Sequence, residues 1–390
     1  MTNLPQGWEV KKLGDIAEIQ IGKTPSRNNI DFFQGENIWL SIRDLKSKFV
    51  SSSSEKISNE AISKTNMKVV PKGTLLMSFK LTLGKTAFAE CDLYTNEAIA
   101  AIFIKNKNIN KYFLDYVLKF TDLEKYVDNA VKGKTLNKQK LKQIEILLPK
   151  NIKEQERIVG ILDENFAKID ENIKILEQDL LNLDELMQSA LQKAFNPLKD
   201  NAKENYKLPQ GWEWKSLEEI SENISAGGDK PKNCTESKTA KNQIPVYANG
   251  VNNNGLVGYT DKATIIKPSL TISARGTIGF VCIRKEPYFP IVRLISLIPC
   301  ENILCLHYLY FCLNFFIAKG EGSSIPQLTI PKFKSLQIPL PPLKEQEQIA
   351  EHLDFVFEKA KALKELYTKE LKDYEELKQS LLNKAFKGEL

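Results

Sequence analysis

Two copies of one sequence unit make up this chain of 390 residues. The stretch LPQGWEVKKL at residues 4–13 returns as LPQGWEWKSL at residues 208–217, and eight of the ten aligned residues are identical. A second, longer echo links residues 148–195 with residues 340–386. Self-similarity at a nearly constant distance marks a repeated structural unit, so the sequence predicts two similar folds in one chain.

The match between the copies is weaker in the region that separates these two echoes, but it persists. MSFKLTLGK, which begins at Met77, answers ISARGTIGF, which begins at Ile272. NKYFLDYVLKF, which ends at Phe120, answers LHYLYFCLNFF, which ends at Phe316. The repeat therefore extends over the whole chain.

Each unit has two parts with different physical signatures. The first part mixes short alternating strands, such as Thr74–Phe79 and Leu270–Ala274, with Gly and Pro punctuation and one apolar helix. The second part has the pattern of one long helix. The predicted organisation is α+β domains at residues 1–150 and 204–341, with long helices at residues 151–198 and 342–390.

A stripe of mostly apolar residues runs along each long helix in steps that alternate four and three, which is the spacing of a coiled-coil seam. In the first copy the stripe is Gln155, Val159, Leu162, Phe166, Ile169, Ile173, Leu176, Leu180, Leu183, Met187, Ala190 and Ala194. In the second copy it is Gln346, Ala350, Leu353, Phe357, Ala360, Lys364, Tyr367, Leu371, Tyr374, Lys378, Leu381 and Ala385. Only Lys364 and Lys378 interrupt the seam with charge.

The two stripes are equal in length, which suggests that the helices pack on each other. Each stripe spans 40 residues, or roughly 60 Å of helix at about 1.5 Å per residue. A two-fold relation between the copies would make the pair antiparallel, with a domain at each end. The alternative is two separate helices that bind other proteins.

Composition limits the functional classes without selecting one. The net charge is +6, from 55 Lys and Arg against 49 Asp and Glu, a mild basic balance that permits nucleic-acid binding. The six Cys have irregular spacing and the N-terminal stretch lacks a charged-then-apolar leader, so we expect a cytoplasmic protein without a disulfide framework. The longest apolar run, residues 307–318, is too short to span a bilayer.

The sequence carries no motif of a self-contained DNA-modifying enzyme. It lacks the Asn or Asp followed by Pro-Pro and an aromatic residue that a methyltransferase would use, and Pro341-Pro342 has the pattern of a helix boundary. Cys300, Cys305, His307 and Cys312 lie within 13 residues, but their spacing fits no compact zinc pattern. We therefore favour apolar, buried cysteines over metal ligands there.

The recurring motifs resemble the DNA specificity subunit of type I restriction-modification systems over essentially the full length of the chain. LPQGWE opens each unit, LPKNIKEQ or LPPLKEQ precedes each long helix, and LLNKAFKGEL ends the chain. Within the domains, IGKTPSRNN, WLSIRDLK, VYANGVNNNGLVGY and SARGTIG are similar to segments of that family's target-recognition domains. It is the order of these segments, twice over, that carries the resemblance.

The resemblance implies the fold and the partners. It implies two pseudo-symmetric target-recognition domains separated by two long antiparallel coiled-coil helices. It also implies a sequence-specific subunit in which each domain reads one half of a bipartite site in double-stranded DNA. The helices would set the gap and dock two methyltransferase subunits, which use S-adenosylmethionine. Restriction subunits would use ATP and Mg²⁺, and this chain would need no cofactor, metal or catalytic residue of its own.

Polar residues on the turn-rich segments are the candidates for DNA contact. Asn amides and Arg guanidinium groups on exposed turns can reach base edges, whereas Lys meets phosphates more often. The candidates are Lys23, Thr24, Ser26, Arg27, Ser41, Arg43, Lys80 and Lys85 in the first domain and Tyr247, Asn249, Asn253, Arg275 and Thr277 in the second. The same segments can also be read as ordinary turns of a β-rich domain. A coiled-coil scaffold whose end domains bind protein or sugar is the alternative function.

Overall fold

The computed structural model describes residues 4–127, 136–195, 208–317, 320–321 and 328–390. The chain divides into two compact units. One consists of Met1–Ile175 with Glu370–Leu390, and the other of Leu176–Lys369. Each unit therefore holds one copy of the mixed domain together with a part of both long helices.

The first copy of the repeat contains ten strands and five α-helices in the part that the structure describes. Its strands are β1 (Trp8–Lys12), β2 (Ala17–Ile21), β3 (Asn37–Leu40), β4 (Phe49–Val50), β5 (Glu55–Ile57), β6 (Leu75–Ser78), β7 (Thr86–Ala89), β8 (Tyr94–Thr95), β9 (Ile99–Ile104) and β10 (Glu145–Pro149). Its helices are α1 (Leu13–Ile16), α2 (Asn59–Thr65), α3 (Lys111–Phe120), α4 (Lys138–Gln143) and the long α5 (Ile152–Phe195).

The second copy repeats most of this order, but among its described residues it has no counterpart of β4 or α2 and it has two additional short strands. Its strands are β11 (Glu213–Ser216), β12 (Ser221–Ala226), β13 (Ile244–Tyr247), β14 (Leu256–Thr260), β15 (Ser269–Ile272), β16 (Thr277–Ile278), β17 (Val281–Arg284), β18 (Phe289–Pro290), β19 (Ile295–Pro299), β20 (Gly320–Glu321) and β21 (Gln337–Leu340). Its helices are α6 (Leu217–Ile220), α7 (Leu306–Phe316), α8 (Ile330–Lys334) and the long α9 (Leu343–Lys387).

Both domains are built on the same sheet plan. The first has a five-stranded sheet in the order β2-β9-β6-β7-β4 and a three-stranded sheet β5-β3-β8. The second has a four-stranded sheet β12-β19-β15-β17 and a three-stranded sheet β14-β13-β18. In each three-stranded sheet the central strand has one parallel partner, β8 or β18. The α+β character predicted from the sequence is confirmed.

The central strands are apolar on both faces because they separate two cores. Leu75 and Met77 of β6 pack into the larger core, which also contains α3 and the start of α5, while Leu76 between them packs into a second cluster around Leu40 and Leu93. This alternation follows from the two-residue period of a strand. It leaves the loops at the strand ends as the polar parts of the domain.

Each domain is closed by pairing of its first and last strands. β1 pairs antiparallel with β10, which places Trp8 opposite Pro149. β11 pairs in the same way with β21, which places Glu213 opposite Leu340. The entry and exit of each domain therefore lie side by side.

A buried glutamine joins each domain to the long helix that follows it. The Gln155 side chain is fully buried, accepts a hydrogen bond from the Asn110 backbone N–H at 2.8 Å, and donates to the carbonyls of Asn108 and Pro149 at 3.1 and 2.9 Å. One amide thus satisfies three backbone groups, of which the Pro149 carbonyl forms its bond in the buried interior and the other two are partly buried.

Gln346 repeats this arrangement at the start of α9. Its Oε1 accepts from the Cys305 N–H at 2.9 Å, and its Nε2 donates to the carbonyls of Ile303 and Pro341 at 2.9 and 2.8 Å. The equivalence of Asn110 and Cys305 moves the alignment of α7 by one residue, so that Phe120 corresponds to Phe315 and not to Phe316. Sequence comparison missed this shift because two phenylalanines stand in succession there.

The long helices pair antiparallel, as the sequence predicted. In the first unit Lys378 Nζ lies 2.5 Å from Asp170 Oδ1, and Phe386 packs on Phe113 and Phe120 with ring centroids 5.8 and 4.8 Å apart. In the second unit Lys364 forms an ion pair with Asp184. The two lysines that interrupt the seam are therefore each paired with an aspartate of the opposite helix.

No helix in the described part of the chain is long and apolar enough to cross a membrane. Cys312 is buried in the apolar core of the second domain, where burial raises the pKa of its thiol. His307 instead lies 2.6 Å from the Asp354 carboxylate of α9. Among the residues that the structure describes, no three His, Cys, Asp or Glu side chains are grouped to hold a metal ion.

Candidate nucleic-acid interface

One turn with the same backbone hydrogen bonds occurs in both domains. In the first domain the Ser78 N–H donates to the Lys85 carbonyl at 2.8 Å and the Gly84 N–H to the Ser78 carbonyl at 2.9 Å. In the second, Ser273 donates to Phe280 at 2.9 Å and Gly279 to Ser273 at 3.0 Å. The turn follows β6 or β15, so the fully buried strand ends where the chain must reverse.

The turn brings a basic residue to the same position in each domain. Lys80 stands two residues after Ser78, and Arg275 stands two residues after Ser273. The next residue has left-handed backbone in both, with φ 62° at Leu81 and 70° at Gly276. Arg275 is exposed and Lys80 is half-buried. Two of the candidates chosen from the sequence are therefore equivalent by geometry.

The loop after β3 orients Arg43 in the first domain. Asp44 Oδ2 accepts from the Ser41 N–H and hydroxyl, both at 2.8 Å, and its other oxygen accepts from the Ser54 N–H at 2.8 Å. Ser41 Oγ in turn accepts from Arg43 Nε at 3.2 Å. These hydrogen bonds from Ser41 and Ser54 hold the pKa of Asp44 below its ordinary value despite partial burial.

Glu55 gathers the two candidate arginines of the first domain. Arg27 binds the Glu55 carboxylate with both terminal nitrogens, and Arg43 Nη2 lies 3.1 Å from Glu55 Oε2. The guanidinium of Arg27 also lies over the ring of Phe33, 4.3 Å from its centroid. The hydrogen bond from Arg27 lowers the pKa of Glu55. The side chains of Arg27 and Arg43 remain about half exposed, at 52% and 62%.

The remaining candidates of the first domain are divided between this surface and other positions. Ser41, Arg43 and Lys80 line one depression together with Leu81, Asn96 and Glu97. Thr24 Oγ1 donates to the carboxylate of Glu97 and so stands at its edge. Three others were chosen for their position on turns: Ser26 and Lys85, which are exposed, and Lys23.

Lys23 has a structural role within the first domain. Its Nζ donates to the carbonyls of Thr65 and Asn66 at 2.8 and 3.1 Å, which are the last carbonyls of α2. Its own carbonyl accepts from Trp39 Nε1 at 3.0 Å. A lysine at a helix C-terminus satisfies carbonyls that lack partners within the helix.

Asn249 joins two loops of the second domain, and its amide is bonded to their backbone instead of being available to contact a base. Its Oδ1 accepts from the Ala274 N–H at 2.8 Å, and its Nδ2 donates to the Val292 carbonyl at 2.6 Å. Ala274 precedes Arg275, and Val292 precedes Arg293. The amide therefore brings the turn that carries Arg275 beside the turn that carries Arg293.

Arg284 holds the Asn-rich loop of the second domain from inside. The residue is only 8% exposed, its Nη2 donates to the Asn254 carbonyl at 2.5 Å, and its guanidinium stacks 3.5 Å from the ring centroid of Tyr247. Asn253 and Asn254 have φ of 48° and 51°, a left-handed conformation that Asn tolerates well. Asn253 stays exposed, while Tyr247 serves as the platform for Arg284.

Thr277 differs from the other candidates because its hydroxyl faces inward. Its Oγ1 is buried and has no hydrogen-bond partner among the residues that the structure describes, and the residue pairs through its backbone with Glu321 of β20. The turn therefore directs Arg275 outward and Thr277 inward.

Comparison with known proteins relates this repeated architecture to a family. The model for the "Type I restriction modification DNA specificity domain" matches residues 5–179 and matches again at residues 209–372. The chain belongs to this family. The two matches coincide with the two copies that carry equivalent turns, so each α+β domain with its adjoining helix is one specificity domain.

Curated relatives of this double specificity-domain chain share its length or a large part of it. The MjaIX specificity subunit of Methanocaldococcus jannaschii, a type I restriction enzyme subunit, is 25% identical over 91% of this chain and 88% of the relative. A putative type I specificity subunit of Mycoplasma pneumoniae is 31% identical over 64% of this chain and 65% of the relative.

Solved structures share the fold of the specificity-domain pair. A chain from a type I R-M system, described for its complex assembly and conformational transition, covers all of this chain and all of its own length with a TM-score of 0.81 at 19% identity. The HsdS subunit from Thermoanaerobacter tengcongensis gives a TM-score of 0.60 at 21% identity, over 100% of this chain and 98% of that one.

Sequence reasoning missed several residues that shape the specificity-domain surfaces. Glu55 and Asp44 are acidic, so a search for DNA-binding donors passes over them. Arg284 lies within an apolar strand, VCIR, where a basic residue is itself a signal because Arg is seldom buried without a partner. Val292 and Arg293 carry no local signal, since nothing in the sequence predicts their left-handed backbone.

Proposed function

We propose that this chain is the DNA-reading subunit of a type I restriction-modification complex, and that each specificity domain reads one half of a bipartite site. The observation that carries the proposal is the coincidence of two family matches with two geometrically equivalent turns that carry basic residues, Lys80 and Arg275. A subunit with two readers of different side chains suits a site whose halves differ in sequence.

In this proposal the first domain contacts a base through Arg43 and binds the DNA phosphates through its lysines. Ser41 accepts from Nε and Glu55 from Nη2 of the Arg43 guanidinium, which leaves Nη1 and the second Nη2–H to meet an acceptor pair such as guanine O6 and N7. Preorganisation of the fork lowers the entropic cost of that contact. Lys80 and Lys85 supply phosphate contacts, which set affinity and register.

The second domain reads through Arg275 and the loop that contains Asn253. Asn249 and Arg284 act behind these residues by fixing the loops that carry them. This division fits the general pattern of recognition, in which a rigid scaffold holds side chains that project from loops.

The long helices set the distance between the half-sites and dock methyltransferase subunits. The seam of 40 residues in each helix corresponds to roughly 60 Å. Neither helix has a continuous apolar outer face, but apolar residues such as Phe355 and Leu366 of α9 are exposed, at 60% and 55%. Such residues among charged ones suit a partner surface.

The chain contributes no catalysis of its own in this proposal. Methyltransferase subunits, two per complex, would bring S-adenosylmethionine, and restriction subunits would bring ATP and Mg²⁺. The proposal therefore predicts that the isolated chain leaves DNA unmodified and uncut.

The test is methylation sequencing of DNA from cells that carry the complete system. The expected result is one bipartite motif with a fixed gap, and purified full-length chain with its methyltransferase subunits should bind a duplex of that motif more tightly than a scrambled duplex. Binding without sequence preference, combined with specific capture of another protein or a sugar, would instead favour the scaffold function.

A further inference from the structure

In the part of the chain that the structure describes, each specificity domain exposes one apolar residue from left-handed backbone. Leu81 has φ 62° and is 75% exposed, and Val292 has φ 52° and is 51% exposed. Left-handed backbone brings Cβ of an L-residue too close to the next carbonyl oxygen, so bulky and β-branched residues are seldom found there. Glycine would satisfy the same backbone at lower cost.

The backbone at both positions is fixed by contacts that do not use these side chains. Around Leu81, the Ser78 hydroxyl donates to the Thr82 carbonyl at 2.6 Å and accepts from the Lys85 N–H at 3.0 Å. The Val292 N–H donates to the Gly228 carbonyl at 2.8 Å, and its carbonyl accepts from Asn249. The two apolar side chains thus add strain and little burial to the folded domains.

Comparison of the two copies shows that the fold does not require an apolar residue at either position. Gly276 stands where the first domain has Leu81, and a Cβ added there would meet no atom of the described residues within 4 Å. Glu97 stands where the second domain has Val292. The preceding N–H groups, of Asn96 and Ile291, donate at 2.9 and 2.8 Å to the carbonyls of Leu40 and Tyr247, the last residues of β3 and β13. Strain that the fold does not need is characteristic of functional positions.

Both residues lie among the candidate DNA-reading groups. Leu81 lines the depression that also holds Ser41, Arg43 and Lys80. Val292 is bound through its carbonyl to Asn249, whose other end holds the residue before Arg275. An apolar side chain in such a surface cannot hydrogen-bond to a base. Among the base edges of the major groove, the apolar group is the C5-methyl of thymine.

We infer that Leu81 and Val292 determine specificity by van der Waals contact with a thymine methyl, one in each half-site. The inference rests on the proposed function and deepens it. A two-stranded β-ribbon fits the major groove, and the turn after β6 is the tip of such a ribbon formed with β7. The polar neighbours of each residue fix which base step it can reach.

The test uses the full chain with its methyltransferase subunits and synthetic duplexes of the motif that the wild-type complex methylates. Each thymine, on either strand, is replaced in turn by deoxyuridine, which lacks only the methyl group. At one position in each half-site the wild-type complex should bind about fourfold more weakly, as expected for loss of one buried methyl group worth about 0.8 kcal/mol.

Two variants serve as controls for each other. Leu81→Gly should abolish the response to deoxyuridine in one half-site and keep it in the other, and Val292→Gly should do the reverse. Because glycine relieves the strain, neither variant should unfold at a lower temperature than the wild type.

The inference is overturned if no deoxyuridine position weakens wild-type binding, or if both variants respond to deoxyuridine as the wild type does. In either case sequence-specific binding by the wild-type complex would leave the proposed function standing. A further duplex carries 2-aminopurine in place of one adenine of the motif. If its fluorescence rose on binding of the wild-type complex but not of the Leu81→Gly complex, the inference would also be overturned, because Leu81 would then separate stacked bases as a wedge. If the wild-type complex bound all duplexes equally well, the proposed function itself would be refuted.

Discussion

Lys80 and Arg275 occupy the same position of the same turn, each two residues after a serine whose backbone closes that turn. The two side chains carry the same charge but different geometry. A guanidinium presents a planar fork that matches guanine O6 and N7, whereas an ammonium acts as a point charge. We therefore expect the same position to read sequence in the second domain and to bind phosphate in the first.

Replacement of Arg275 by Ala should cost about 1 to 3 kcal/mol of discrimination at one base pair of the second half-site. Arg275→Lys keeps the charge and loses the fork, so it should restore affinity without restoring discrimination. Competition binding with single-base variants of the motif measures both. Equal weakening on every duplex would mean that Arg275 contacts phosphate instead.

Replacement of Lys80 by Ala should weaken binding by the same factor on all duplexes. If its ammonium neutralises one phosphate, the slope of log affinity against log salt should fall by about 0.9. Titrations of the full complex at several salt concentrations give this slope. A change in preferred sequence, with the slope unaltered, would assign Lys80 to a base.

Glu55→Gln should reduce discrimination in the first half-site and raise affinity for unrelated DNA. The carboxylate holds Arg27 and Arg43 in place, and its charge repels phosphates; the substitution removes both effects. Glu36→Gln is the matched control, because Glu36 is an exposed acid of the same domain paired with Lys56. If both variants behave alike on motif and scrambled duplexes, Glu55 has no positioning role.

The same carboxylate predicts how stability responds to acid. The hydrogen bond from Arg27 lowers the pKa of Glu55 in the folded state. Its contribution to stability is therefore complete above the unfolded-state pKa and is lost as pH falls through the lowered folded pKa. Between those two values wild type should lose stability relative to Glu55→Gln as the pH is lowered, which urea unfolding at a series of pH values can measure. A stability difference that stays constant through that window would contradict the assignment.

Gln155→Leu should destabilise the first unit by about 3 kcal/mol, since it removes the partner of one buried carbonyl and of two partly buried backbone groups, an N–H and a second carbonyl. Gln346→Leu should do the same in the second unit. Gln188→Leu, at an exposed position of α5, is the control for added apolar surface. The urea concentration at the unfolding midpoint reports the effect, and equal midpoints for all three variants would show that the amide is dispensable.

Matched shortening of α5 and α9 should reduce the gap between half-sites and leave the half-site sequences unchanged. A helix of roughly 60 Å corresponds to at most about 18 base pairs at 3.4 Å each. Deletions of whole seven-residue segments keep the seam facing inward, whereas a slip would turn it outward. Methylation sequencing gives the new gap. An active variant with the original gap would refute a spacing role for the helices.

The repeat and the helical seam could be predicted from the sequence because both depend on periodicity. Leu162 and Leu353, which are aligned positions of the two stripes, are fully buried. The stripe omitted Ile158 and Phe195, which are also buried, because these residues face a domain core and not the partner helix. A four-three pattern describes one face of a helix, whereas α5 packs with two faces, one against the partner helix and one against a domain core.

The candidate site could be predicted only in part, since the direction of a loop side chain depends on distant contacts. Arg43 and Arg275 were chosen as turn residues and are exposed. Asn249 looked equivalent to them, yet its amide is engaged by backbone groups 25 and 43 residues away. Thr277 sits two residues after Arg275 and points inward. Composition of the turn does not distinguish these cases.

The side-by-side first and last strands of each domain have an evolutionary consequence. A segment whose two ends lie adjacent, as Glu9 and Leu148 do in β1 and β10 and as Glu213 and Leu340 do in β11 and β21, can be exchanged as a cassette without stretching the remainder. The long helices would retain their pairing and their partners while a new reader was inserted. Recombination at two short, repeated sequences would then change the recognised DNA sequence in a single genetic event, with no intermediate that has lost its fold.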